Sequence, residues 1–284
     1  MADVIYRAAN ADDGPAIVDL FQHCFPHVRT RAYWHWALDE TPARGGLAEV
    51  AVADGRVIGH YGVTRLTGQC RGISQPIGFA VQAAMHRSFR NLAHIMALTD
   101  RIWQRCADAG MALVYGFPND NIWLVSERLM GWRKIDQFPV LKISVANLRQ
   151  PSQSQSAIQI DRIEHFDAGF DDLWSRLAEP DGLTIARTSA FLNWRVFAHP
   201  LQHYQAFAAR QGERVLGYVV LKYYRQGEQY TGHIIDLVAD DAVVARALFE
   251  QAQVEFTFQG VDEISLWMTP AHPQHDLFTS LGFE

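Results

Sequence analysis

Three short segments of the chain occur twice, in the same order, at a spacing too long for a stacked repeat. Tyr33-Trp34-His35-Trp36 returns as Phe191-Leu192-Asn193-Trp194, and Arg56-Val57-Ile58-Gly59 returns as Arg214-Val215-Leu216-Gly217, both 158 positions later. Leu129-Met130-Gly131-Trp132 then matches Ser280-Leu281-Gly282-Phe283 at a spacing of 151. Solenoid units repeat every 20 to 50 residues or so, so a spacing near 150 means two related domains in tandem. The falling offset places a deletion inside the second copy.

The stretch Gln150-Pro151-Ser152-Gln153-Ser154-Gln155-Ser156 is polar, low in complexity and has nothing to bury. It is expected to be a linker (150–156) between domains at 1–149 and 157–284, each of domain size. With 49% apolar and 20% charged residues, both halves can bury a core. The net charge of −6 comes without a clustered basic tract, which argues against nucleic-acid partners and against an electrostatic membrane anchor. No apolar run approaches the roughly 20 residues of a membrane span. The first residues lack the basic start and apolar run of a leader, so a cytoplasmic location is expected. Cys24, Cys70 and Cys106 are odd in number and form no CxxC pair, which fits reduced thiols. The twelve histidines form neither HxH nor HExxH, and no metal is expected.

In the first half, residues 4–7 read as a strand and Asn10-Ala11-Asp12-Asp13 as a helix start. An aromatic helix covers 30–38. Strands at 47–53 and 57–66 flank Asp54-Gly55, a hairpin signal. Another strand runs through 77–84. Ile95, Leu98, Ile102 and Cys106 have helical spacing over 93–109, closed by Gly110. A strand at 112–117, a helix opened by Asn119 or Asn121 and ending at Gly131, and a last strand at 140–145 complete the half.

The segment with the most chemistry is Met85-His86-Arg87-Ser88-Phe89-Arg90-Asn91-Leu92-Ala93-His94-Ile95, between a strand and the long helix. A strand-loop-helix passage aims backbone N–H groups and the helix dipole at one spot, which favours an anion. Arg87 and Arg90 add charge and a bidentate fork. These residues resemble the turn of the GNAT superfamily of N-acetyltransferases. There a His-Pro-x-Tyr-Arg-Gly-x-Gly-like sequence opens the helix that holds the coenzyme A pyrophosphate. The His, the aromatic and the Arg match; Arg87 replaces Pro, and Asn91 and Ala93 replace two glycines. Gly131-Trp132 stands where the family has Gly-Phe.

The resemblance implies an α/β (α+β) fold of two tandem GNAT-like domains, each a mixed, mostly antiparallel sheet flanked by helices, the second degenerate. It implies that Ala83, Ala84 and Met85 line the pantetheine arm of acetyl-CoA. It also implies that Arg90, Asn91, Leu92, Ala93, His94 and Ile95 hold the pyrophosphate. Asn91 is the best substitute for Gly where φ is positive. Glu127 occupies the position of the family's proton-donating Tyr, and would act as a protonated acid, as a base, or only as an exposed residue beside Arg128. Asn119 would cap its helix or touch the cofactor. Tyr115 faces either a cleft or the core, and His86 either carries a proton or supports the turn. The aromatic helix at 33–36 lines an acceptor cleft or the core. In the second half, Asp236, Asp240 and Asp241 fall where a pyrophosphate would sit and would repel it; Phe278 matches Glu127 and has no proton to give. The expected function is acetyl transfer from acetyl-CoA to an amine, the alternative a silent protein that keeps only the fold.

Overall fold

The computed structural model describes residues 3–27, 29–148, 158–178 and 182–284, and the expected linker at 150–156 lies outside them. Strand β1 (Val4–Ala8) leads into helices α1 (Gly14–Cys24) and α2 (Arg31–Leu38), then strands β2 (Leu47–Ala53), β3 (Arg56–Cys70) and β4 (Ile73–Met85). Helix α3 (Leu92–Asp108), strand β5 (Val114–Tyr115), helix α4 (Asp120–Leu129) and strand β6 (Val140–Ser144) follow. Next come β7 (Gln159–Ile163), α5 (Gly169–Leu177), β8 (Leu183–Ile185) and α6 (Ser189–Leu192), the last running on as a π-helical turn over Asn193–Phe197. Strands β9 (Gln205–Gln211), β10 (Arg214–Gln226) and β11 (Gln229–Ala239), helix α7 (Ala242–Gln259), strand β12 (Glu263–Trp267) and helix α8 (His275–Ser280) complete the chain.

The chain divides into two compact units. The first holds residues 1–134, 178–186 and 198–201; the second holds 135–177, 187–197 and 202–284. The first sheet has the order β1-β2-β3-β4-β5, antiparallel except for the parallel β4/β5 pair, with β8 added to β3 at Gly68–Cys70. Alternation along β2 sends Ala48 and Val50 to Ile17, Phe21, Trp34 and Leu38 of α1 and α2. It sends Ala51 and Ala53 to the other face, under Leu98 of α3. Gly110 ends the α3 segment with φ of 69°, a left-handed turn that glycine adopts without a Cβ penalty.

The second sheet has the order β6-β12-β11-β10-β9-β7. Here the sequence reading needs correction. The strand expected at 140–145 to close the first half pairs antiparallel with β12 of the second sheet, Leu141 opposite Leu266 and Ile143 opposite Ile264. This strand forms the edge of the second sheet beside β12. Its buried and exposed residues alternate strictly, and such a period-2 pattern specifies a half-buried strand without specifying the sheet it joins.

Among the described residues, no helix is long and apolar enough to cross a membrane.

Candidate functional site

The β3/β4 ladder carries a bulge. Pairing runs from Cys70 opposite Ile73 to Gly59 opposite Met85, but shifts by one residue between His60 and Gly62. Gln82 sits at the shift with φ of 57°, a region that side-chain-bearing residues seldom occupy. His60 holds it there: Nδ1–H donates to the Gln82 carbonyl oxygen at 2.8 Å. Trp34 Nε1–H donates to His60 Nε2 at 3.1 Å, which keeps the imidazole proton on Nδ1. His60 is buried, and burial pushes its pKa down to about 4. At neutral pH it is an uncharged positioning residue. The sequence reading missed it, because a histidine inside an alternating strand carries no signal of what lies across the ladder.

On the other edge of β4 the sheet splays before the bulge is reached. Strands β4 and β5 pair only at Gly78–Val114 and Phe79–Tyr115. The strand expected at 112–117 is therefore two residues long. Phe79 and Tyr115 stack at 4.8 Å, and Phe117 stands edge-on to both. Tyr115 thus lies in an aromatic cluster at the mouth of the splay. Among the described residues, no strand pairs with β4 on this side after Phe79. Ala83 is exposed, Ala84 half-buried and Met85 buried. Two small side chains therefore border an open backbone edge.

That edge runs into the loop. His86 caps a 3-10 turn over Arg87–Phe89, accepting from the Ser88 N–H at 3.3 Å; this is its turn-supporting role. An Arg90 guanidinium N–H donates to the Met85 carbonyl oxygen at 3.3 Å, which ties the loop back to the strand. Asn91 is the N-cap of α3 and accepts from the His94 N–H at 3.0 Å. Its φ is −128°, so the loop closes without the positive φ for which Asn91 was singled out. His94 shares a short hydrogen bond with the Tyr6 hydroxyl. The Ile95 N–H is taken by the Asn91 carbonyl, and its side chain packs against the core. What remains for a ligand are the N–H groups of Leu92 and Ala93, both exposed, with no partner among the described residues, and the charges of Arg87 and Arg90. This is the start of a helix presenting donors to an anion.

The two residues proposed for catalysis sit at opposite ends of α4. Asn119 is at the N-cap, exposed, and its side chain makes no capping bond. Glu127 is exposed, eight positions further on. At 1.5 Å per residue that is roughly 12 Å along the helix, too far for both to act on one atom.

The second unit closes the same positions. From Met85 to the N-cap Asn91 the first unit spends six residues; from Ala239 to the N-cap Asp241 the second spends two, and the turn is gone. Asp240 accepts from Arg176 at 3.2 Å and Arg214 at 3.1 Å, and Asp241 accepts from the Val244 N–H at 2.8 Å. A cavity of about 540 Å³ here is lined by these arginines and both carboxylates. Phe278 is fully buried in the core.

The site is thus a bulged fourth strand, open on one edge after Phe79, that leads into a helix N-terminus, and comparisons with known proteins find the same family signature. Residues 5–131 match the family model described as the acetyltransferase (GNAT) domain. No curated protein matches the chain. Among solved structures, it resembles a conserved protein of unknown function from Enterococcus faecalis, described as a probable N-acyltransferase. The TM-score is 0.77 at 13% identity, covering 100% of this chain and 70% of that one. A GCN5-related N-acetyltransferase from Anabaena variabilis gives a TM-score of 0.72 at 12% identity, covering 95% and 66%. A tandem GNAT protein from the clavulanic acid biosynthesis pathway gives 0.62 at 13% identity, covering 99% and 95%. The chain thus spans about two thirds of the Anabaena protein's length. The family match is confined to residues 5–131, and the chain as a whole shares its fold with these structures, a tandem GNAT protein among them.

Proposed function

We propose that the first unit binds acetyl-CoA and transfers its acetyl group to an amine acceptor. The supporting observation is the continuity of the open β4 edge at Ala83–Met85 with the free N–H groups of Leu92 and Ala93. An extended chain of amides fits the first, and a pyrophosphate fits the second. Acetyl-CoA supplies an activated thioester. The chain's part is to bind it along that edge, to hold the bulge through His60, and to manage protons from α4. Of the two α4 candidates, which lie too far apart to share one atom, Glu127 is the proposed base for the acceptor amine, and Asn119 stays at the helix N-cap. The second unit, with carboxylates at its helix start, does not take the donor in this way.

One observation favours a different reading. Glu127 replaces a proton-donating tyrosine and lies exposed, as expected of a silent protein that keeps the fold. Thermal unfolding with acetyl-CoA decides between them. At 100 times its Kd a ligand adds about 2.7 kcal/mol of stability. The parent should be stabilised by acetyl-CoA, and Ala83→Leu, which fills the open edge, should remove the effect while leaving the unliganded Tm unchanged. Arg90→Ala should weaken binding about tenfold to a hundredfold, the effect of losing a charge-assisted bond of roughly 1.5–3 kcal/mol. No stabilisation of the parent at millimolar acetyl-CoA would establish the silent reading.

A further inference from the structure

The two units can be aligned residue by residue around the bulge. Arg29-Thr30 and Arg187-Thr188 stand 158 positions apart, and each threonine caps its helix, accepting from the N–H of Tyr33 and of Phe191 respectively. In the ladders, Gly59 opposite Met85 corresponds to Gly217 opposite Ala239, and Val63 opposite Ala80 corresponds to Leu221 opposite Ile234. Both ladders carry one extra residue between these pairs. Counting from either side puts Gln82 and Asp236 at the same point, each hydrogen-bonded by the equivalent residue of the neighbouring strand, His60 to the Gln82 carbonyl and Tyr218 to the Asp236 carboxylate.

In the second unit this point is closed. Arg187 Nε donates to the Asp236 carboxylate at 3.0 Å, and the Tyr218 hydroxyl donates to it at 2.9 Å. In the first unit the corresponding groups are buried and unsatisfied. Arg29 Nε and both polar atoms of the Gln82 side-chain amide are shielded from solvent, and none has a hydrogen-bond partner among the described residues. The Arg29 guanidinium lies over the rings of Tyr33 at 4.9 Å and Phe25 at 5.6 Å instead. Phe25 packs against the same cluster as Ala84 of β4.

Buried polar groups without partners destabilise a fold, and a ligand is one means of completing them. Replacing the aspartate by glutamine also removes the negative charge that would neutralise the arginine. The second unit carries within its own chain what the first leaves out, a carboxylate beside the arginine. We propose that Arg29 and Gln82 form a carboxylate anchor in the first unit, so that the acyl acceptor is an amine that also bears a carboxylate. The guanidinium and the Gln82 Nε2–H₂ are the donors, and Gln82 Oε1 remains to accept from a ligand N–H or O–H. The acceptor role rests on the transferase reading above; the anchor itself does not.

Two experiments test it. Gln82→Asp supplies the missing carboxylate from within the chain. If the two side chains share a pocket, Tm rises by about 2–4 °C, as pairing worth about 1 kcal/mol would give at this size. If they do not, a lone carboxylate is buried, Tm falls, and the anchor is wrong. Ligand-observed NMR with α- and ω-amino acids and their carboxyl amides, in the presence of coenzyme A, reads the specificity directly. The parent should favour the acids over the amides by tenfold or more, and Arg29→Gln should abolish that preference while its affinity for acetyl-CoA is unchanged. Equal binding of acids and amides by a parent that binds acetyl-CoA overturns the anchor and leaves the transferase reading intact. Acid-selective binding by a parent that does not bind acetyl-CoA keeps the anchor and overturns the transfer.

Discussion

The helix that follows the bulged strand is fastened in two different ways. In the first unit Glu49 of β2 is fully buried and receives Arg101 Nε at 2.7 Å and an Arg105 guanidinium nitrogen at 2.9 Å, both from α3. Arg105 also donates to the Ala48 carbonyl at 2.8 Å. In the second unit the corresponding residue of β9 is Phe207, packed in one cluster with Val244, Leu248 and Ala252 of α7. Ala51 opposite Gly59 and Ala209 opposite Gly217 fix the correspondence. Buried ion pairs and apolar contacts of similar volume are interchangeable solutions to docking. The choice follows what each helix start must do. Helix α3 opens with unsatisfied donors facing solvent and is held from its middle by directed bonds. Helix α7 opens with Asp240 and Asp241 already bonded and is held by burial along its length.

The contrast predicts its largest effect in the second unit. Phe207→Ala should cost about 3–5 kcal/mol, the usual range for emptying a buried ring site. Glu49→Ala should cost less, about 2 kcal/mol. It loses two charge-assisted bonds, but Arg101 and Arg105 are 45% and 34% exposed and can return to water. Denaturant unfolding of both variants checks the order. A larger loss for Glu49→Ala would mean that the ion pair, and not the apolar face, is the stronger fastening.

The next effect depends on pH and separates His60 from Tyr218. The folded-state pKa of His60, about 4, lies below the ordinary histidine value of 6.5. The unfolded chain therefore binds the extra proton first. Stability from this group is complete above pH 6.5 and is lost as pH falls toward 4, by about 2 kcal/mol between pH 6.5 and 5. Tyr218 is raised above its usual value, mainly by burial, and does not titrate in that window. His60→Gln should flatten the dependence of Tm on pH between 6.5 and 5. An unchanged slope would show that other groups set the acid sensitivity of the first unit.

The sequence made the duplicated architecture and the loop before α3 legible, because both rest on local order: Arg-Val-(Ile/Leu)-Gly at a constant offset, and a His, an aromatic and an Arg before a helix. The partner of residues 140–145 was not legible, since Leu141 and Ile143 alternate as they would in either sheet. The bulge at Gln82 was hidden as well. Its positive φ is imposed from across the ladder by His60, and nothing near Gln82 resembles a turn. The Arg29/Arg187 correspondence was readable at the same offset as the tryptophans. Its meaning was not, because the contrast lies in whether a strand residue some fifty positions away is Gln or Asp.

The smallest effect tests whether the helix starts differ in use as well as in fastening. Asn91 and Asp241 do the same structural work, each accepting from an N–H three residues on, at 3.0 and 2.8 Å. Alanine at either position should cost about 1 kcal/mol, the common value for a lost N-cap. The two variants should then be nearly equal in Tm. They should part in ligand binding. Asn91→Ala releases the His94 N–H and loosens the turn that aims the N–H groups of Leu92 and Ala93, so acetyl-CoA affinity should fall several-fold by calorimetry. Asp241→Ala removes a carboxylate from a helix start that already lacks the turn, and affinity should stay at the parent value. If Asp241→Ala instead created a second acetyl-CoA site, carboxylate repulsion alone would be what closes the second unit. If neither variant changed affinity, the start of α3 would be no more than a capped helix, and the donor would be held along β4 alone.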